Sequence, residues 1–243
     1  MQHNFEPDVS QLEKNILPEN WEWIRCSKQA KMARYKSDPV CYFKEFIPKS
    51  QLEVIKSKFR GSRCEIWVEQ AKVAMNAGFD VPEILAYGIL QNKHHYLITA
   101  SGPDGAASDY LIKKPDNNET KRQQWIKAFG EYIGQMHKAG IVHGDLRAGN
   151  ILMEPSSPPH FVMIDIERNS HHKIVPLSLV RKNLVQLIKR ISFKDFTAKD
   201  RVLFFKHYNQ SYNRFDKKDQ KKLAIEVINL VKKQNLWGGN QNI

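Results

Sequence analysis

The chain has 243 residues, enough for one two-lobed domain or two small ones, with a substantial core. Its 41% hydrophobic and 26% charged residues are those of a globular protein, and no apolar stretch approaches the ~20 residues a membrane-spanning helix needs. The net charge of +12 calls for an anionic partner or surface, with nucleic acid, an acidic membrane leaflet and a phosphorylated glycolipid as the candidates.

The N-terminus, Met1 to Glu6, lacks a basic region followed by an apolar run, so no secretory signal is expected. Cys26, Cys41 and Cys64 share no metal-ligand spacing, and their odd number fits reduced thiols in a cytosol. A polar lead-in with a short helix near Val9–Ile16 precedes three strands, Trp21–Cys26, Lys31–Lys36 and Val40–Phe46. Ser37-Asp38-Pro39 makes the turn between the last two. A helical region from Ser50 to about Ala77, broken near Gly61, follows. Val81-Pro82 then turns the chain into an extended segment, and Tyr96-Leu97-Ile98-Thr99 reads as a strand entering a linker. Ser101-Gly102-Pro103-Asp104-Gly105 has the most flexible composition, which places a lobe boundary there: residues 1–100 form the N-terminal lobe and 101–243 the C-terminal lobe.

Lys121 to Ala139 predicts an amphipathic helix, because Trp125, Phe129, Ile133 and Met136 recur at three- and four-residue steps. Lys138 in its last turn and Gly140 beyond it suit a C-terminal cap. Ile151-Leu152-Met153 and Phe161-Val162-Met163-Ile164 read as short apolar strands around the turn cluster Glu154 to Pro159. Three more helices are expected at Leu177–Ile191, Ala198–Tyr212 and Lys217–Gln234. Lys217-Lys218 with Lys221-Lys222 reads as the solvated face of the last one. Aromatic and basic residues do not interleave on one strand face, so a nucleic-acid stacking platform is not expected.

The stretch Val142-His143-Gly144-Asp145-Leu146-Arg147-Ala148-Gly149-Asn150-Ile151-Leu152, followed by Val162-Met163-Ile164-Asp165, carries the chemistry. An acid at 145, an amide five residues later and a second acid twenty residues after the first match the kinase pattern of catalytic Asp, metal-binding Asn and metal-binding Asp. Phosphoryl transfer needs a carboxylate near the attacking hydroxyl and hard oxygen ligands for Mg²⁺ on the nucleotide phosphates. Asp145 is then the base or orienting acid, and Asn150 and Asp165 the metal ligands. Arg147 stands where a cation offsets charge on the transferring group, or where a hydrogen bond stabilises the loop. His143 braces the loop and Gly144 relieves a steric constraint. Lys44 ends the apolar run Val40-Cys41-Tyr42-Phe43 and resembles the kinase strand lysine that reaches the ATP α- and β-phosphates. In kinases the linker backbone meets the adenine ring, which makes Thr99 to Ser101 candidate contacts.

Lys58-Phe59-Arg60-Gly61-Ser62-Arg63 with Trp67, Ala77-Gly78-Phe79-Asp80-Val81-Pro82, the catalytic stretch with Ile164-Asp165-Ile166-Glu167-Arg168, Arg181-Lys182-Asn183-Leu184-Val185-Gln186-Leu187 and Asp200 to Tyr208 together resemble the Kdo/heptose lipopolysaccharide kinase family. The similarity runs from about Trp21 to about Tyr212. The resemblance implies an α+β, bilobal protein-kinase-like fold with a small antiparallel-sheet N-lobe and a mostly helical C-lobe. It implies transfer of the ATP γ-phosphate to a sugar hydroxyl, Kdo or heptose, of the lipopolysaccharide inner core. Mg²⁺ is the implied metal, and the cytoplasmic face of the inner membrane of Gram-negative bacteria the implied location. The glycolipid and the anionic membrane surface are thus the expected partners, and nucleic acid is not. A small-molecule or atypical protein kinase, or an inactive scaffold, would share the catalytic loop.

Three departures from the protein-kinase pattern stand out. Cys26-Ser27-Lys28-Gln29-Ala30-Lys31 has no glycine, so Ser27, Lys28 and backbone amides take the place of a Gly-rich phosphate loop. Asp165 is followed by Ile166-Glu167. The segment Asn169 to Pro176 is too short for a phosphorylated activation loop. For the helix acid that pairs with Lys44, a gapless count falls near Trp67, flanked by Glu65 and Glu69. Glu69 is preferred, because Val73 four residues later is an apolar neighbour that would face the core.

Overall fold

The computed structural model describes residues 4–112, 118–189, 191 and 195–238. The first three residues of the polar lead-in, and residue 190 within the helix expected to end at Ile191, lie outside them. The chain divides into two compact units, one of residues 1–72 and 81–102, the other of 73–80 and 103–243.

The first unit holds a five-stranded antiparallel sheet of order β1-β2-β3-β5-β4. Its strands are β1 (Trp21–Cys26), β2 (Ala30–Tyr35), β3 (Cys41–Phe46), β4 (Ile84–Ile89) and β5 (His95–Ala100). One face buries Phe43, Cys41, Ala33 and Ile98 against Val9 and Leu12 of helix α1 (Glu6–Glu13). Burial raises the Cys41 thiol pKa to about 12, with help from the Asp8 charge, which makes it an inert core residue. The period-two alternation of β3 puts Phe43 and Glu45 on one side and leaves Tyr42 and Lys44, partly buried, on the other.

Helices α2 (Gln51–Arg60) and α3 (Arg63–Asn76) flank a break at Gly61. Ser62 starts α3 with a capping box: its hydroxyl accepts from the Glu65 amide at 3.2 Å, and the Glu65 carboxylate accepts from the Ser62 amide at 2.6 Å. The buried stripe of α3 is Cys64, Trp67, Val68, Ala71 and Ala74.

The second unit is largely helical: α4 (Ala107–Ile112), α5 (Glu119–Lys138), α6 (Leu177–Lys189), α7 (Ala198–Tyr212) and α8 (Lys217–Gly238). It also holds a three-stranded sheet, β6 (Gly105–Ala106), β8 (Ile151–Glu154) and β9 (His160–Met163), and a strand pair of β7 (Ile141–Val142) with β10 (Ser170–His171). Helices α5 and α7 pack closely because Gly130 and Gly134 lie against the α7 backbone. A Cβ at 130 would come within 2.6 Å of the Phe204 carbonyl, and one at 134 within 2.5 Å of the Tyr208 carbonyl. A buried ion pair joins the same helices: the Arg122 guanidinium forks onto both Asp200 oxygens at 2.9 Å. Asp200 simultaneously closes the capping box with Thr197 that begins α7. Among the described residues, no helix is long and apolar enough to cross a membrane.

Candidate active site

The β8–β9 hairpin positions the candidate metal ligands. Its register pairs Ile151 with Met163 and Leu152 with Val162. Asn150 directly precedes β8, and the Ile164 amide donates to the Asn150 carbonyl at 3.0 Å, extending the pairing by one step. Asp165 follows at that end in a left-handed backbone conformation, φ 56° and ψ 42°, and caps a single 3₁₀ turn, Ile166–Arg168. Aspartate tolerates that region better than most residues. The hairpin thus delivers residues 150 and 165 to the same end.

The loop before β8 is tied down at His143, Gly144, Asp145, Arg147 and Asn150. His143 is fully buried; its Nε2 donates to the Ile164 carbonyl at 3.0 Å, and its Nδ1 accepts from the Asp145 amide at 3.2 Å. A carbonyl only accepts, so the ring is the neutral Nε2–H tautomer. Burial pushes the His143 pKa down, against the opposing pull of the Ile164 bond and the Asp165, Asp145 and Glu167 charges. A bracing role follows, not proton transfer. Buried Asn183 on α6 accepts from the His143 amide at 3.2 Å and donates to its carbonyl at 2.7 Å. Asn183 also accepts from His137 Nε2 at 3.2 Å, while the Tyr208 hydroxyl donates to His137 Nδ1 at 2.8 Å. This chain of bonds hangs the 143–150 loop from α5, α6 and α7.

Gly144 meets the backbone after Asp165. A Cβ there would lie 2.2 Å from both the Arg168 Cβ and its carbonyl oxygen, so only glycine fits. The Asn169 side chain accepts from the Gly144 amide at 3.2 Å.

Asp145 is partly exposed and gripped by Arg147. Nε of Arg147 donates to Oδ1 at 2.9 Å and Nη2 to Oδ2, a bidentate fork. The hydrogen bonds to Asp145 raise the Arg147 pKa, and the Asp145 and Asp165 charges add to it, so this cation stands in the field of both acids. Asn150 donates its Nδ2 to the Asp145 carbonyl at 2.9 Å. Its amide oxygen is therefore the atom available to a cation, because the nitrogen is committed to the loop. An amide oxygen and a carboxylate are the hard donors Mg²⁺ takes. Among the described residues no cluster of three or more His, Cys, Asp or Glu side chains is placed to hold a metal ion.

In the first unit, Lys44 pairs across the sheet with Met32 and Leu97, and its ammonium sits 5.0 Å from the Phe46 ring centre. Arg63, at the start of α3, places its guanidinium 5.2 Å from the same ring and donates to the Gln29 carbonyl at 3.3 Å. Two cations thus share one aromatic ring, and the second also touches the β1–β2 turn. Arg63 was legible in the sequence only as part of a block of resemblance; its link to Lys44 runs through Phe46 and was not. In the β1–β2 turn, Ser27 Oγ accepts from the Gln29 and Ala30 amides at 3.3 and 3.2 Å. Of the backbone amides expected to stand in for a Gly-rich loop, those of Gln29 and Ala30 are taken up by the turn itself, and the Lys28 side chain is exposed at its tip.

Glu69 lies on the exposed flank of α3 and pairs with Lys72 at 2.8 Å, with 66% of its side chain exposed. Val73, four residues on, is partly buried beside the fully buried stripe of Trp67, Val68, Ala71 and Ala74. Glu65 serves the capping box, and its hydrogen bonds to Ser62 hold its carboxyl below the usual range. Thr99 pairs with Tyr42 and Ile84 in the sheet. The Ala100 and Ser101 amides donate to the Glu83 and Val40 carbonyls, both at 2.9 Å, which removes them as donors to a purine. The Ser101 hydroxyl donates to the Gly102 carbonyl at 3.0 Å.

The sequence model of the lipopolysaccharide kinase (Kdo/WaaP) family matches residues 22–208. The chain belongs to that family. Among solved structures it is similar to WaaP in complex with acyl carrier protein, with a TM-score of 0.64 at 17% identity over 87% of this chain and 88% of that one. This likeness shows the fold shared by the Kdo/WaaP kinases, which is protein-kinase-like. WbdD, solved with a kinase inhibitor, aligns over 84% of this chain and 47% of its own with 19% identity and a TM-score of 0.45. Among curated proteins, the EKC/KEOPS complex subunit BUD32 of Gibberella zeae is 43% identical over 42 residues. That stretch spans 17% of this chain and 16% of the curated relative. The family is one of kinases, and the α+β architecture seen here is the one it uses.

Proposed function

We propose that the protein transfers the γ-phosphate of ATP to a sugar hydroxyl, Kdo or heptose, of the lipopolysaccharide inner core. The cytoplasmic face of the inner membrane of a Gram-negative bacterium is the proposed place of work. The observation that carries this reading is the hairpin that brings Asn150 and Asp165 to one end while Asn150 also binds the Asp145 backbone. Asp145 orients the acceptor hydroxyl and receives its proton as the acceptor oxygen bonds to the γ-phosphorus and ADP leaves. A positioned base of this kind typically contributes about 10²–10⁴-fold in rate. Each carboxylate oxygen has a second lone pair, so Asp145 serves the acceptor while Arg147 holds its orientation. Arg147, in the field of Asp145 and Asp165, offsets charge on the transferring group.

Asn150 and Asp165 would hold Mg²⁺, which when bound neutralises charge on the triphosphate. Lys44 supplies the cation for the α- and β-phosphates, with Glu65 and Glu69 of α3 as its candidate partners and Lys28 as a further cation. Thr99 and Ser101, at the end of the proposed nucleotide lobe of residues 1–100, are the proposed purine contacts, as acceptors, since the Ala100 and Ser101 amides are taken up by Glu83 and Val40. Residues 101–243 form the proposed catalytic lobe. The net charge of +12 supports an acceptor and surface rich in carboxylates and phosphates.

The test is incubation with γ-labelled ATP, Mg²⁺ and inner-core glycolipids that carry or lack heptose. Label on a glycolipid, lost in Asp145→Asn, is the expected result. Label on peptide with the glycolipids blank would replace this reading with a protein-kinase one.

A further inference from the structure

Helix α8 has two apolar strips. Leu223, Val227 and Val231 are buried, and the helix packs on α6. The second strip, Ala224, Ile225 and Ile228, faces α7, where Val202 and Phe205 meet it across an open groove of about 960 Å³. Val202 is 70% exposed and Ile225 50%, an apolar surface that a water-facing helix pair has no reason to keep.

The rim of this groove is cationic. Lys217, Lys221 and Lys232 line it from α8, and Arg201 and Lys206 from α7; among the described residues none of the lining side chains is acidic. Lys217 and Lys221 therefore do not merely solvate the helix, as their sequence pattern implies, but border an apolar strip. Apolar side chains between lysines on one face are the pattern of a surface that rests in a bilayer interface, with the cations at the headgroups. The family model matches residues 22–208, and α8 lies beyond that range.

We propose that the α7–α8 face seats the protein on an anionic phospholipid bilayer. This rests on the reading that the acceptor is lipid-linked, because such an acceptor presents its sugar at a membrane surface. Charge selects the occupant: four exposed lysines, Lys206, Lys217, Lys221 and Lys232, beside an apolar strip whose lining holds no acid among the described residues, fit acidic headgroups above acyl chains.

The experiment is co-sedimentation of the full chain with vesicles of phosphatidylglycerol and phosphatidylethanolamine that contain no glycolipid, against vesicles of phosphatidylcholine alone. Binding to the anionic vesicles, weakened by salt, is expected. The pair Lys217→Glu with Lys221→Glu should lower partitioning by about tenfold or more, and Val202→Asp with Ile225→Asp should abolish it. Should the aspartate pair unfold, Lys217→Gln with Lys221→Gln changes only exposed side chains and carries the test. Transfer to a deacylated, water-soluble inner-core acceptor is measured in parallel and should be retained by every folded variant. Variants that bind anionic vesicles as the unaltered protein does would overturn the assignment of this face, as would an unaltered protein that binds none. A concentration-dependent dimer broken by the same substitutions would give the face to a second copy instead. Vesicle binding without any glycolipid phosphorylation would sink the proposed acceptor and leave the face standing.

Discussion

Asn150 donates its side-chain nitrogen to the backbone carbonyl of Asp145 at 2.9 Å. On the proposed reading, one residue thus both fixes the acid that meets the acceptor and offers its own oxygen to the cation. Asn150→Asp removes the donor and places a negative charge against that carbonyl. Turnover should fall by at least about 100-fold, while the melting temperature changes little; steady-state kinetics and calorimetry on the same preparation check both.

The Arg147 fork predicts a difference between two replacements. Lysine keeps the charge but cannot make two parallel bonds to Asp145. Arg147→Lys should therefore lose most of the rate that Arg147→Ala loses, about 10- to 100-fold in kcat, if the fork sets the orientation of Asp145. In an Asp145→Asn background the Arg147 substitutions should add little further loss, since both residues act as one unit. Independent, fully additive effects would show that the two do not work together.

At Gly144 the smallest possible addition should be disruptive. The Cβ of Gly144→Ala has the Arg168 Cβ and carbonyl 2.2 Å away, so the catalytic loop or the turn after Asp165 has to move. A stability loss of about 1–3 kcal/mol is expected from overpacking, together with near-complete loss of turnover. An active Gly144→Ala variant of normal stability would mean the loop and the 166–168 turn are not in contact.

Buried histidine gives a pH dependence with a defined sign. Burial lowers the His137 pKa from 6.5 to about 4, partly opposed by its bond to Asn183. Between those two values the unfolded chain holds the proton and the folded one does not, so acid favours unfolding. Stability is intact above pH 6.5, falls as pH drops from there towards 4, and His137 contributes about 3 kcal/mol over that window. Burial shifts His143 in the same direction and adds to the slope. Urea unfolding at pH 7.5, 6.0 and 5.0 measures it, and His137→Gln should flatten the curve. An equal slope with and without the imidazole would rule out this origin.

The site was legible where its chemistry is local in sequence. Loop, strand, turn, strand and acid follow one another within about two dozen residues, and the β8–β9 register realises that order. Strand β3, whose burial alternates, and helices α5 to α8, each with a buried stripe, show their periodicity plainly, whereas β4 has no buried face and was expected only as an extended segment. What stayed hidden depends on side-chain direction or on distance along the chain. Spacing of two says nothing about whether Arg147 grips Asp145. Asn183, which holds His143 from 40 residues away, is an ordinary polar residue in an amphipathic helix until the fold closes. Strands of two residues, such as β7 and β10, leave no periodic trace. One signal was present and unused: Ser62-Arg63-Cys64-Glu65 is a capping-box pattern, and reading it assigns Glu65 to the helix start.

The central claim is that Asn150 and Asp165 form the cation-holding pair while Asp145 serves the acceptor. Calorimetric titration of ATP with and without Mg²⁺ into Asp165→Asn and Asp145→Asn tests it most directly. The account predicts that Asp165→Asn loses the Mg²⁺-dependent part of ATP affinity, whereas Asp145→Asn binds Mg²⁺-ATP like the unaltered protein and does not turn over. Equal Mg²⁺-dependent binding by both variants would contradict it.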